Sequence, residues 1–443
     1  MNIVAEFTDL NFLLLLVCLA GFYWLAWRSR FKALMILIVL LPSYIIRTTL
    51  LTIPVTFLEL MIVGLFIIWI IRERQYPWLL LKKTIPHNNP IPYIYRVVIT
   101  LILLAATVSV FVSGNLKESL GIWKAYFLEP IMLFLVVMQT VKTREQIYDL
   151  IDVLGFTAIL LFPLAVYQHF TGHTIPLEFW SNPATRRITT IFGYPNANSL
   201  LLAPIVALYG GYVLKRESVA KTIYKLAVIV CGLTIIFWAR TDGALLALAF
   251  VAIYLIGTKI PFKKTFWALV VLLVLVSGYW YSQTTSWQQQ WQRIHEGRLG
   301  LQSSSFEIRL NQWTETTKLL SHKPLFGSGL VGYQTDLIPY HWNPFLEIFL
   351  YPHNIFLNFW VETGLVGLLA FLWLGWLLFQ NLRKKTTDSI LSVMLLVCWL
   401  TIIIHGLVDV PYFKNDLSAF WWLLVAITLL VTSFRESTPS KHN

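Results

Sequence analysis

The first residues able to do chemistry form a charged triplet, Arg240, Thr241 and Asp242, set between apolar stretches in FWARTDGALLALAF. A guanidinium inside an apolar run costs at least ~2.5 kcal/mol to insert, so an arginine kept there has a task. Its planar fork suits the oxygens of a phosphate group, and Asp242 two residues on offers the plainer alternative of internal neutralisation. A second arginine, Arg309, lies four residues before Trp313, where helical periodicity alone would make it a solvated surface residue. A histidine, His353, follows Tyr351 and Pro352 and opens the apolar run HNIFLNFWVETGLVGLLAFLW. A helix N-terminus disfavours the imidazolium, which leaves a neutral ring able to take a proton near neutral pH. The plainer reading of such a histidine is a hydrogen-bonding group at an interface. Further polar residues in apolar surroundings are Arg47; Lys124 and Glu129 in GIWKAYFLEP; Arg186 and Arg187, with Asn196 and Asn198, around TTIFGYPNANSLL; Asn354; and His405, Asp409 and Lys414 in HGLVDVPYFKND. The two asparagines of the YPNAN turn are by default turn-forming residues.

These residues must be positioned by helices in a bilayer. With 57% hydrophobic and 13% charged residues over 443 positions, and a mean hydropathy of +0.68, the chain is too apolar to be a water-soluble enzyme of this length. The 19 tryptophans and 19 tyrosines suit the two membrane interfaces, and in this setting the net charge of +12 argues for membrane topology rather than for nucleic acid. Cys18, Cys231 and Cys398 each sit inside an apolar run and imply neither a disulfide framework nor a metal site. Met1 to Leu10 has no Lys or Arg and carries Glu6 and Asp9, so the first apolar run is expected to stay as a helix.

Apolar runs long enough to span fall near 10–27, 33–51, 55–71, 97–114, 122–140, 149–168, 192–213, 224–239, 243–258, 266–282, 354–380, 388–409 and 417–433. The expected fold is therefore an all-α integral membrane protein, a polytopic bundle of 12–13 transmembrane helices. Pro42 and Arg47 interrupt the second run, and Arg240 to Asp242 alone separate the eighth from the ninth. The expected division is a transmembrane bundle over 1–282, one large extracytoplasmic loop with short amphipathic helices over 283–352, further transmembrane helices over 353–434 and a tail over 435–443. Within the loop, Ile308, Trp313 and Leu319 recur near helical spacing and predict an amphipathic helix ended by His322 to Pro324.

Basic residues fall in alternate connections: Arg28, Arg30 and Lys32; Arg72, Arg74, Lys82, Lys83 and Arg96; Lys142 and Arg144; Lys215, Arg216, Lys221 and Lys225; Lys259, Lys263 and Lys264; Arg383, Lys384 and Lys385; Arg435 and Lys441. The positive-inside rule makes these cytoplasmic, with the N-terminus outside and the C-terminus inside. Arg47, Lys117, Lys124, Arg186, Arg187, Arg240, Arg293, Arg298, Arg309, Lys318, Lys323 and Lys414 then lie on the outer side, against the bias. Each could be a snorkelling interfacial residue, yet together they turn most of the candidate chemistry outward. The chain has no phosphate-binding loop of the Walker type, no dinucleotide fingerprint and no HExxH, so a substrate would have to arrive already activated.

In four stretches, RRITTIFGYPNANSLLLAPI, ARTDGALLAL, RLNQWTETTKLLSHKPLFGSGLVGYQT and HNIFLNFWVETGLVGLLAFL, the chain resembles the O-antigen ligase and O-antigen polymerase superfamily of bacterial envelope enzymes. The stretches occur in the family's order, and the likeness runs from about residue 30 to 430. The resemblance implies an inverting, metal-independent glycosyltransferase without cofactors in the bacterial cytoplasmic membrane. Its donor would be an undecaprenyl-pyrophosphate-linked glycan and its acceptor a lipid-linked or glycan hydroxyl, such as a lipid A-core. It further implies that Arg240 and Arg309 hold the donor pyrophosphate and that His353 is the essential histidine before an asparagine. Where the family commonly has Ser-Arg-Gly-Ala, this chain has Ala239, Arg240, Thr241, Asp242, Gly243 and Ala244, two residues more between Arg and Gly-Ala. Ligase and polymerase share a donor and differ in the acceptor cleft. A protein O-oligosaccharyltransferase fits less well, because the polar tail after Phe434 is short. From another class, a transporter of a lipid-linked or anionic sugar would use the same arginines without bond cleavage, but would more often show paired half-repeats.

Overall fold

The computed structural model describes residues 9–50, 53–73, 91–257, 305–343, 346–383 and 388–433. The span expected at 266–282, the first part of the large loop through residue 304 with Arg293 and Arg298, the tail over 435–443, and Arg74, Lys82, Lys83, Lys259, Lys263, Lys264, Lys384, Lys385, Arg435 and Lys441 lie outside the described residues.

The protein is an all-α polytopic membrane protein. In chain order its helices are α1 (Asp9–Arg28), α2 (Arg30–Val39), α3 (Phe57–Glu73), α4 (Tyr93–Val112), α5 (Leu116–Trp123), α6 (Glu129–Thr140), α7 (Arg144–Thr171) and α8 (Glu178–Ser181). They continue with α9 (Asn196–Tyr212), α10 (Val219–Trp238), α11 (Asp242–Gly257), α12 (Ser305–His322), α13 (Tyr333–Leu337), α14 (Ile355–Arg383), α15 (Ser389–Gly406) and α16 (Asn415–Ser433). A π-turn over Lys124–Leu128 joins α5 to α6 without a break. Six of the described helical stretches are long and apolar enough to cross a membrane: Tyr93–Val112, Leu116–Thr140, Arg144–Thr171, Val219–Trp238, Ile355–Arg383 and Ser389–Gly406. Leu13–Arg28, Asp242–Gly257 and Asn415–Val431 are shorter apolar helices.

The run at 33–51 departs from expectation, because it is not one helix. α2 stops at Val39, Pro42 enters a 3-10 turn over Leu41–Ile45, and Arg47–Leu50 (β1) pairs antiparallel with Ile53–Thr56 (β2). Proline lacks the N–H a helix needs and pushes the preceding residue out of helical geometry, while the β-branched Thr48 and Thr49 suit a strand. The hairpin delivers Thr56 as the cap of α3. Its hydroxyl accepts from the Glu59 N–H at 3.2 Å and Glu59 Oε2 accepts from the Thr56 N–H at 3.1 Å, a reciprocal capping box.

The C-terminal helices pack into the earlier ones: α14 on α4, α15 on α9 and α16 on α6. α9 and α16 are apolar and buried nearly all round, which places them at the centre. The connections of alternate parity gather at two ends. One carries Arg28, Arg72, Lys142, Lys215 and Lys221. The other brings together the hairpin, the α5–α6 turn, the α7–α9 loop, the α10–α11 junction, α12 and the α15–α16 loop.

At that second end α14 is interrupted at Gly364 (φ +69°, ψ −178°), where its hydrogen bonds pass to another segment. Ser328 N–H donates to Val361 O at 2.8 Å and Leu365 N–H donates to Leu325 O at 2.9 Å. A Cβ at Gly364 would run into Leu325 O, and one at Gly327 (φ +64°) into Val361 O, so both positions require glycine. The threaded segment is held on its far side too, with Leu330 N–H on Ser109 O (3.3 Å) and Val331 N–H on Glu362 Oε2 (3.0 Å).

Candidate active site

Residues 405–409, at the end of α15, form a hub on which distant elements converge. Asn354 caps α14, its Oδ1 accepting from the Phe356 and Leu357 N–H groups at 3.0 Å each, and its Nδ2 donates to Leu407 O at 3.0 Å. Arg309 on α12 donates through Nε to Val408 O at 2.7 Å and through Nη1 to Ser305 O at 3.1 Å. Trp313, one turn on, donates to Pro352 O at 2.9 Å and fixes α12 beside the residue preceding His353. Arg309 Nη2 has no partner among the described residues.

Asp409 is the centre of the hub. Its Oδ1 faces His353 Nδ1 at 3.4 Å and its Oδ2 accepts from Asn196 Nδ2 at 2.9 Å. Asn196 Oδ1 in turn accepts from Arg187 Nη2 at 2.8 Å, and Arg187 Nε donates to Ala239 O at 2.9 Å, one residue before Arg240. Burial alone would raise the Asp409 carboxyl. The hydrogen bond from His353, the charges of His353 and His405 and the Val410 N–H outweigh burial and hold the group below the usual carboxylate range. With Nδ1 turned to the carboxylate, Nε2 is the ring nitrogen that faces away from it, the orientation in which a neutral imidazole can serve as a base. His353 sits at φ +46° and Arg240 at φ +50°, both left-handed and neither glycine, so the surrounding contacts hold strained backbone at these two positions.

Arg240 lies exposed between α10 and α11, and among the described residues its guanidinium makes no hydrogen bond and no ion pair, with Asp242 or otherwise. Arg187 is pushed below the usual guanidinium value first by burial and then by Arg240 and Arg309, with Asp242 and Asp409 opposing. The three arginines therefore share one neighbourhood in which cations outnumber carboxylates. His405 packs behind the hub, buried, with both ring nitrogens unpartnered among the described residues.

The remaining expected residues have other surroundings. Arg186 closes the end of α7, donating to His169 O (2.8 Å), Phe170 O (3.2 Å) and Ser181 O (3.1 Å). Asn198 is fully buried and buckles the loop before α9 through Pro195 O (3.3 Å) and Ile188 O (3.4 Å). Lys124 pairs with Glu59 at 2.8 Å and lies 3.7 Å from Glu129, while Asn415 donates to the other Glu59 oxygen at 2.7 Å. Arg47 is exposed on β1, on the hairpin that leads to Glu59. Lys414 is buried over the rings of Phe192 (4.4 Å) and Tyr44 (5.1 Å), 3.3 Å from Asp416. Glu59, Gln168 and Asn415 escape sequence reasoning as organisers. The capping pattern Thr-x-x-Glu would have singled out Glu59, and no local pattern marks the others. Gln168 takes both the Thr189 and Thr190 N–H groups and stiffens the loop that carries Arg187. Among the described residues no group of three or more His, Cys, Asp or Glu could hold a metal ion.

Residues 227–372, which include Arg240, Arg309 and His353, match the family model described as O-antigen ligase. A protein of Rickettsia conorii, provisionally named a polysaccharide ligase, is 23% identical over 176 residues, a match covering 38% of this chain and 41% of that relative. Over these residues the chain is thus similar to the O-antigen ligase family, and it spans less than half the length of the curated relative it matches.

Proposed function

We propose that the protein is a glycosyltransferase of the O-antigen ligase type, moving a glycan from undecaprenyl pyrophosphate to an acceptor hydroxyl, a lipid A-core or similar, at the outer face of the bacterial cytoplasmic membrane. The observation that carries this reading is the convergence, on residues 407–409, of an Asp-oriented imidazole and an arginine anchored one residue away, beside two further guanidiniums. The basic end of the bundle is the cytoplasmic one in this reading, with the N-terminus outside, the C-terminus inside and residues 283–352 forming the extracytoplasmic loop.

The chemistry follows from charge. Arg240, Arg309 and Arg187 bind the donor pyrophosphate and stabilise the charge that accumulates as the bond from sugar C1 to phosphate oxygen breaks, work that needs no metal. His353 Nε2 accepts the proton of the acceptor hydroxyl as that oxygen bonds to C1 from the opposite face, which inverts the anomeric centre. Asp409 orients the imidazole and stabilises the imidazolium that forms. Undecaprenyl pyrophosphate leaves sideways between helices.

The test is to incubate the purified, detergent-solubilised protein with undecaprenyl-pyrophosphate-linked oligosaccharide and a panel of acceptors, with EDTA and without ATP. Release of undecaprenyl pyrophosphate with glycan on a new acceptor is expected. A lengthened carrier-linked glycan would instead identify a polymerase. Binding without cleavage throughout the panel would overturn the transferase in favour of a transporter.

A further inference from the structure

Lys414 stands at the far end of the loop that begins with Asp409, and no step above uses it. Its ammonium lies over three aromatic rings, Phe192 at 4.4 Å, Tyr44 at 5.1 Å and Tyr194 at 5.9 Å, with the Asp416 carboxylate 3.3 Å away. Lysine and carboxylate are both buried. Taking an ammonium out of water is costly, and here ring faces and one carboxylate stand in for the lost water.

The three rings come from two segments other than its own. Tyr44 belongs to the 3-10 turn Leu41–Ile45 and stacks on Phe192 with centroids 6.3 Å apart, while Phe192 and Tyr194 belong to the loop that leads into Asn196 at the start of α9. That loop is therefore fastened twice to the α15–α16 loop. At one point Asn196 Nδ2 donates to Asp409 Oδ2 at 2.9 Å, and at the other the rings of Phe192 and Tyr194 face Lys414 Nζ. Between the two fastenings the α15–α16 loop is held from other sides, with Tyr412 Oη donating to Tyr126 O at 2.7 Å and the Phe413 ring 5.0 Å from that of Phe359. A single side-chain hydrogen bond between two loops is kept only while their backbones stay in register, and the cation among the rings supplies a second point that fixes the register.

Resting on the transferase reading, we propose that Lys414 is a positioning residue: by holding Phe192 and Tyr194 it keeps Asn196 within reach of Asp409, and so sets the carboxylate that orients the His353 ring. It acts through Asn196 and Asp409 rather than on the substrate.

The experiment is a double-mutant cycle on the detergent-solubilised full-length protein, read as transfer from undecaprenyl-pyrophosphate-linked oligosaccharide per folded molecule. Because Lys414→Met alone would strand the buried Asp416, both charges are removed together in Lys414→Met/Asp416→Asn. This variant is expected to lose about tenfold in turnover and to bind bare undecaprenyl pyrophosphate as the wild type does, since Arg240 and Arg309 keep their places. In an Asn196→Ala background the same two substitutions are expected to change turnover by less than about twofold, because the link through which Lys414 acts is already gone. Phe192→Leu, which removes the nearest ring and strands no charge, is expected to show the same pattern with a smaller loss. Wild-type turnover in both Lys414→Met/Asp416→Asn and Phe192→Leu, an equal loss with and without Asn196, or a matching loss of bare-carrier binding would each overturn the positioning role. A wild-type protein that transfers glycan to no acceptor would overturn the transferase reading, and this role with it.

Discussion

Two polar clusters sit at the same end of the bundle and treat their charges in opposite ways. In the first, both oxygens of Glu59 are engaged: Oε2 accepts from the Thr56 N–H and from Lys124, and Oε1 accepts from Asn415. Around Asp409 the carboxylate is equally well used, but Arg240 and part of Arg309 are left over, and His353 keeps a free ring nitrogen. Buried charge that is matched internally joins helices, because neither partner can leave without stranding the other. Cations left unmatched beside one another are the groups with free energy to gain from an incoming anion.

This contrast can be broken by substitution. The largest effect belongs to the open cluster: Arg240→Ala or His353→Ala should lower turnover at least ~100-fold while leaving membrane insertion and thermal unfolding near wild type. Wild-type turnover in both variants would remove the cluster from the chemistry. The closed cluster should respond in the opposite sense, with Glu59→Ala costing about 2 kcal/mol of stability through an uncapped α3 and the loss of the acceptor that Lys124 and Asn415 share, and with turnover per folded molecule little changed. A large loss of turnover without destabilisation would show that Glu59 belongs to the site. The adjacent pair Arg186 and Arg187 sharpens the comparison at its boundary. Arg186→Ala should cost ~1 kcal/mol at the end of α7 and spare turnover, whereas Arg187→Ala should reduce turnover about tenfold at similar stability. Activity assays on the two variants at matched folded fractions distinguish them.

The helical fold was legible because it rests on local properties. Runs such as 97–114 and 388–409 announce their helices by length and hydropathy, which are properties of contiguous residues. Where the structure departs, a non-local choice intervenes. The run at 33–51 turns into a hairpin that earns its place by capping α3, and the break at Gly364 exists because a segment more than thirty residues earlier supplies the missing hydrogen bonds. The same division applies to the candidate site. An arginine between two apolar runs marks itself, so Arg240 stands out in the chain, whereas Arg309 stands out only through the family resemblance. The hydrogen-bond partners of such residues do not, because Arg186 and Arg187 are neighbours in sequence and only the folded loop sends one to a helix end and the other to Asn196. The line from Arg187 through Asn196 and Asp409 to His353 joins four positions that no spacing rule connects.

The crossing of residues 325–331 over the interrupted turn of α14 also ties two clocks together. Since the loop closes the helix and the helix closes the loop, neither set of amide protons can meet solvent without the other. Ser328 and Leu365 should therefore exchange as a single cooperative unit, and any motion that lifts this stretch off the bundle must wait for a transmembrane helix to open over its first third.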